Sequence, residues 1–254
     1  MYSITAIAFL LAFFTLGGSF IIWGLLNYKW KRLIENIPTS KIRSIAMGLV
    51  EIFGNVVSKD ESLLKSPFTQ NPCVYYKYKI EELRSSGKST HWVTIKKGEE
   101  NRLFFLQDDT GRVLVNATGA IIRLSKDTCY HSELGNDPPE SVQQFIKSIK
   151  VDFEGFLGIN KTMKYTEWYI APGDNLYIIG TATDNPFVEE ASVEQGVEDV
   201  MITKGDHEKF YYIADKKEST VLASFTKYTY SGIVLGLLFI ALALLSIYLF
   251  GGGY

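Results

Sequence analysis

Residues 4–26 read ITAIAFLLAFFTLGGSFIIWGLL, and residues 232–250 read GIVLGLLFIALALLSIYLF. Neither stretch contains Asp, Glu, Lys or Arg. As helices they extend roughly 34 and 28 Å, close to the ~30 Å hydrocarbon core of a bilayer. A cleaved signal peptide is the alternative for the first stretch. It would need a basic start, a shorter apolar run and a small-residue cleavage site. Met1 to Thr5 has no basic side chain, and the run ends in Tyr28-Lys29-Trp30-Lys31-Arg32, so a retained anchor is expected. Trp23, Tyr28 and Trp30 suit the headgroup level. A buried core helix is the alternative for the second stretch, but it lacks a polar face.

Working outward, Lys29, Lys31, Arg32, Lys41 and Arg43 follow the first stretch, and Lys216, Lys217 and Lys227 precede the second. Basic residues mark the cytoplasmic side of a span. The expected layout is a cell-membrane protein with two spans, its middle cytoplasmic and its short ends outside. The segments are a transmembrane helix at 4–26, a juxtamembrane segment at 27–44, a β-rich domain at 45–215, a juxtamembrane helix at 216–231 and a transmembrane helix at 232–250. The fold class is a membrane protein whose two transmembrane helices flank a mainly β (α+β) domain of short antiparallel strands, which a small barrel would close.

All 26 Lys+Arg and all 28 Asp+Glu lie between the two stretches, a net charge of −2. This near-balance argues against nucleic-acid binding. Cys73 and Cys129 are too few for a disulfide scaffold; they read as buried thiols, with a disulfide or a catalytic thiol as the alternatives. His91, His131 and His207 lack metal-ligand spacing, and no phosphate-loop, dinucleotide or nucleophile-elbow motif occurs. No cofactor and no metal are therefore expected. The sequons at Asn116 and Asn160 read as chance occurrences.

Within the middle, Val50, Ile52, Gly54 and Val56 alternate with Leu49, Glu51, Phe53 and Asn55, a strand within 45–57. A strand at 73–82 is rich in Val and Tyr, a polar loop is expected at 84–90, and a partner strand at 91–97. Apolar runs at 103–107 and 112–116 flank Asp108-Asp109-Thr110-Gly111, a hairpin signal. A further strand is expected at 120–124. Asn136-Asp137-Pro138-Pro139 reads as the cap of a helix at about 138–150, with Val142, Phe145, Ile146 and Ile149 on one face. Strands at 164–170 and 175–183 are joined by Pro172-Gly173-Asp174, a strong turn. An acidic stretch, 184–203, holds no Lys or Arg and reads as a solvated loop or a docking surface for a basic partner. A last strand is expected at 210–213.

Four stretches resemble a family pattern when taken together. They are Gly48-Leu-Val-Glu-Ile-Phe-Gly54, Ser66-Pro67 with Pro72-Cys-Val-Tyr-Tyr76, Phe104-Phe-Leu-Gln-Asp-Asp-Thr-Gly111, and Pro172-Gly-Asp-Asn-Leu-Tyr-Ile-Ile-Gly180. In this order, between two spans, they resemble the GIDE or "beside a membrane" domain family, known from a mitochondrial outer-membrane RING-type ubiquitin ligase. The resemblance implies structural roles for Gly48, Gly54, Pro67, Pro72, Cys73, Gly111, Pro172, Gly173, Asp174 and Gly180. It also implies the ubiquitin-ligase label, and a mitochondrial outer membrane if the source is eukaryotic. The 2 Cys and 3 His of this sequence are too few for the two four-coordinate zinc sites of a RING. A compact, RING-free member is expected, and a prokaryotic one fits the basic flanks.

Asp108 and Asp109 are the best candidates for chemistry, with turn capping as the competing role. Tyr75, Tyr76, Tyr78 and Trp92 are candidates for a peptide groove, although alternation on a strand sends some of them to the core. No catalytic residue is assigned. The expected partners are the lipid bilayer and a membrane or cytoplasmic protein, not nucleic acid. Gly232 and Gly236 form a GxxxG face for helix packing, including a homo-oligomer. The functional reading is a non-catalytic interaction or sensing protein. The alternatives are an accessory, substrate-recruiting component of a ubiquitin-ligase-like system, and a hydrolytic enzyme.

Overall fold

A computed structural model describes residues 4–59, 63–152, 161–187, 199–206 and 210–251. Most of the acidic stretch, His207 and Asn160 lie outside them. The chain divides into two compact units, Met1–Pro38 with Lys217–Tyr254, and Thr39–Lys216.

The first unit is a pair of apolar helices, α1 (Ile4–Asn36) and α3 (Glu218–Gly251), each long enough to span a membrane. Each helix extends beyond its apolar stretch: α1 runs on to Asn36, inside the expected juxtamembrane segment 27–44, and stops just before Pro38, which cannot continue a helix, while α3 begins at Glu218, near the start of the expected juxtamembrane helix at 216–231. The two helices pack through glycine. A Cβ on Gly232 would lie 2.8 Å from Gly24 Cα, and one on Gly236 would lie 2.8 Å from Gly17 O. Phe239 stacks between Phe13 and Phe20, at 6.1 and 5.6 Å. The Gly232/Gly236 face therefore packs on α1 of the same chain, and the small residues allow that approach.

The second unit is the β-rich domain. Strand β1 (Gly48–Ser58) pairs antiparallel with β11 (Asn175–Asp184) along Gly48↔Ala182 to Asn55↔Asn175, and with β6 (Phe104–Gln107) along Asn55↔Gln107 to Ser58↔Phe104. Strand β6 pairs with β7 (Arg112–Val115), β7 with β12 (Val200–Thr203), and β12 returns to β11. These pairings close a five-stranded barrel. Strands β13 (Tyr212–Ala214) and β8 (Ile121–Arg123) extend the sheet from β11. The barrel is filled by the inward residues of the alternating strands, including Val50, Ile52, Val56, Phe104, Leu106, Val113, Val115 and Ile178.

Beside the barrel lies a four-stranded antiparallel sheet in the order β5 (Ser89–Asn101), β4 (Tyr75–Ser86), β10 (Met163–Ile170), β9 (Thr128–Ser132). One face packs on α2 (Glu140–Ser148), where Val142 and Ile146 meet Tyr78, Ile80, Tyr165 and Phe68. A two-stranded ribbon, β2 (Leu64–Lys65) and β3 (Pro72–Cys73), frames the turn at Pro67. Buried Glu167 holds that turn: its carboxylate accepts the Phe68 N–H at 2.5 Å and the Thr69 hydroxyl at 2.7 Å.

Three expectations are corrected. The polar loop at 84–90 is a hairpin, because β4 runs to Ser86, β5 starts at Ser89, and only Gly87-Lys88 turn. The cap of α2 is Pro139, not Asn136 or Asp137, and it makes no side-chain cap hydrogen bond; Gln143 reaches back to donate to Pro138 O at 2.9 Å. The acidic stretch ends in β12, whose Met201 and Ile202 are buried in the barrel.

Candidate functional site

The family-motif residues fall in three places: Gly54, Gly111, Pro172, Gly173 and Asp174 at one end of the barrel, Gly48 and Gly180 towards the other end of the β1–β11 ladder, and Pro67, Pro72 and Cys73 at the two-stranded ribbon. Gly54 sits where β1 passes over β6, and a Cβ there would lie 2.5 Å from Gln107 O. Gly173 turns the chain between β10 and β11 at φ +94°, and its N–H donates to Val56 O at 2.8 Å. In the same turn, which Pro172 opens, Asp174 accepts the Ala171 N–H at 2.8 Å. Gly48 opens β1 and Gly180 lies in β11 beneath the Tyr211 ring. Pro67 starts the turn held by Glu167, Pro72 pairs with Lys65, and Cys73 is buried opposite Leu64.

Asp108 and Asp109 belong to the Gly54 end of the barrel, lining a hollow of about 610 Å³ with Lys41, Gly54, Gln107 and Gly173. The two carboxylates do different work. Asp108 Oδ1 accepts the Thr110 N–H, the Thr110 hydroxyl and the Gly111 N–H, at 2.7, 2.6 and 3.0 Å. Its Oδ2 accepts the Ile42 N–H at 3.0 Å. Burial disfavours its charge, but these donors outweigh burial and hold the carboxyl below its ordinary range. Asp109 faces outward and pairs with Lys41 at 2.5 Å. The tetrad thus clips the 3-10 turn at Ile42–Ser44 to the β6–β7 hairpin.

The aromatic candidates divide between two faces. Tyr76 and Tyr78 lie on the α2 side of the four-stranded sheet. Tyr75 lies on the opposite side, and its hydroxyl donates to Glu99 at 2.8 Å. Burial, reinforced by Glu99, pushes its phenol well above the usual range. Directly opposed residues of antiparallel strands share a face. The registers Lys77↔Trp168, Lys79↔Lys97, Lys77↔Glu99 and Lys164↔His131 therefore place these side chains on the Tyr75 side. Trp92 stands 37% exposed, with Lys164 Nζ 4.5 Å above its ring and His131 edge-on at 6.2 Å. On this face, Glu81 binds Lys79 at 2.8 Å and Lys164 at 2.7 Å. Burial opposes its charge, and the two ammonium groups overcome that and lower its pKa.

Sequence reading missed the lysines of this face. Tyr75, Lys77 and Lys79 recur with period two, the one signal that places them together. Trp168 reaches the same face from β10, which only the register reveals. Cys73 and Cys129 are free thiols, and burial lifts the Cys73 thiol to about 12. Among the described residues, no group of three or more His, Cys, Asp and Glu is placed to hold a metal ion.

The fold defines a class: a β-barrel domain, with an attached four-stranded sheet, inserted between two membrane-length apolar helices. The profile of the GIDE family, described as E3 ubiquitin ligase, matches residues 75–248, more than half of the 254 residues. This chain belongs to the GIDE family. No curated protein and no solved structure gives a match.

Proposed function

We propose that this protein is a membrane-anchored, non-catalytic interaction or sensing protein. Its recognition surface is the open face of the four-stranded sheet. The observation that carries the reading is that face itself: exposed Trp92 with Lys164 and His131 packed on it, set beside a run of lysines. Trp is favoured at protein contacts, where a rigid ring supplies area at little entropic cost. Held by two spans, the domain meets other membrane-bound partners at raised effective concentration.

The family description favours a second reading, in which the face recruits substrates for a ubiquitin-ligase-like system whose catalytic part is on another chain. The hydrolase reading has weak support. Cys73 is buried and strongly protonated, His91 is exposed on β5, and the Asp108 carboxylate already accepts four hydrogen bonds within its own turn and from Ile42.

The test is photo-crosslinking in native membranes, with benzoylphenylalanine at position 92 and, as control, at Lys147 on α2. The expected result is a discrete protein adduct at position 92 that is missing at 147. Matching adducts at both positions, or none at 92, would overturn the recognition surface.

A further inference from the structure

One end of the recognition face closes into a hollow of about 260 Å³. Its walls carry Lys77, Lys79, Lys97 and Arg123; its floor is Tyr75 and Trp168, with Ile122 and Leu124 at one side. Its cations come from three different strands. Lys77 and Lys79 come from β4, Lys97 from β5, and Arg123 from β8 at the edge of the barrel sheet. The β8 end is fastened in place, since Ser125 N–H donates to Asp215 at 2.6 Å and Asp127 N–H to Glu167 O at 3.2 Å.

The charges in this hollow are poorly arranged for folding alone. Lys79 and Lys97 are directly opposed across neighbouring strands, a like-charge pair that destabilises a sheet. Glu81 compensates Lys79. Glu99 is committed to the Tyr75 hydroxyl, and no ion pair within 4.0 Å joins it to Lys77. Lys77, Lys97 and Arg123 thus converge with no ion-pair partner among the described residues, on a chain whose net charge is −2. Such a concentration of cations against a low-dielectric floor is a focused site for an anion.

We propose that this hollow binds a phosphate ester, with the phosphate among Lys77, Lys97 and Arg123 and an apolar or planar portion on Trp168 and Leu124. The inference rests on reading this face as a recognition surface and names its ligand class. Two ammonium groups and a guanidinium on different strands surround a tetrahedral, many-oxygened anion, whereas a lone carboxylate engages one fork. The hollow is smaller than the ~300 Å³ at which drug-sized pockets begin. That size suits a headgroup-sized ester and is short for a peptide, which would need a longer groove or a free strand edge. A soluble ester and a phospholipid headgroup share this chemistry.

The experiment is lysine footprinting of the full chain in phosphatidylcholine nanodiscs, by acylation and mass spectrometry. One arm adds glycerol 3-phosphate; the other replaces part of the phosphatidylcholine with phosphatidylglycerol. The expected result is a fall in reactivity of about threefold or more at Lys77 and Lys97 as the site fills. Lys88 and Lys147 should keep their reactivity, and Lys97→Gln should abolish the protection at Lys77. Protection in the first arm identifies a soluble ester, and protection in the second a lipid headgroup. Absence of selective protection in both arms overturns the proposal. So does protection by a glutamate-rich peptide alone. If position 92 still captures its partner in either of those cases, the ligand is wrong and the recognition face stands.

Discussion

Four donors converge on the Asp108 carboxylate, and they decide what that residue is for. Three crowd Oδ1 and one binds Oδ2, so most of the acceptor capacity of this carboxylate serves the turn rather than a metal or a substrate proton. Asp108→Asn keeps one oxygen for the Thr110 and Gly111 donors but removes the charge and sets an amide NH2 against the Ile42 N–H, so it should cost roughly 1–3 kcal/mol of stability. The pH dependence has a definite sign. The folded pKa of Asp108 lies below its unfolded value, near ~3.9. Its contribution is therefore complete above the unfolded pKa and is lost as pH falls through the folded one. Thermal unfolding of both proteins should show a stability gap that is constant from neutral pH to about 5 and narrows below ~4. A gap that holds steady down to pH ~3 would mean that the carboxylate charge is not what the donors hold. Asp127 runs the other way: burial raises its pKa, joined by Asp174, Glu167 and Asp215 and opposed by the Tyr169 N–H. It is common to both proteins and cancels in the comparison. The Asp-Asp-Thr-Gly turn was legible in the sequence, because such residues cap backbone donors locally. The reach of Asp108 to Ile42 was not, because it depends on where the chain returns.

At the scale of elements, β1 is the strand on which the barrel closes, with β11 along one edge and β6 along the other. Its alternation was legible: Val50, Ile52 and Val56 do face the core. Gly54, read as a place of close approach, is where β1 and β6 come together. A Cβ there would meet the Gln107 carbonyl oxygen at 2.5 Å and its carbon at 2.9 Å. Backbone cannot swing aside as a side-chain tip does, so Gly54→Ala should cost about 1–3 kcal/mol as β6 is displaced. Gly111→Ala is the internal control from the same motif set, because its nearest neighbour is Ile42 Cγ2 at 3.7 Å. Denaturant unfolding should separate the two variants; equal loss would show that crowding at β1–β6 is not the constraint. The elements hidden in the sequence were those without enough periodicity of their own. Strand β9 is polar and β12 is four residues long beside a run of acids. Both become strands because a neighbour offers its edge, a tertiary effect that local propensity does not report.

For the whole molecule, the apolar ends govern what the middle can do. If α1 and α3 both cross a bilayer, the two ends that bound Thr39–Lys216 are on one side of it, and that side carries the basic flanks at Lys29, Lys31, Arg32, Lys216, Lys217 and Lys227. On the excess of Lys and Arg we propose that this side is the cytoplasmic one. The two membrane-length helices and family membership were legible because they rest on long runs and ordered motifs. The lysine-lined sheet face was not, because it joins four strands through registers and gathers residues as far apart in sequence as Lys77 and Lys164. Ser86, exposed at the end of β4, gives a direct test of the orientation. Ser86→Cys in a Cys129→Ser background leaves Cys73 as the other thiol, which burial lifts to about 12 and so makes unreactive at neutral pH. A membrane-impermeant maleimide should label Cys at position 86 only after intact cells are permeabilised. Labelling before permeabilisation would place the domain, its lysine face and its partners on the outer side, and the positive flanks would then need a source other than membrane orientation.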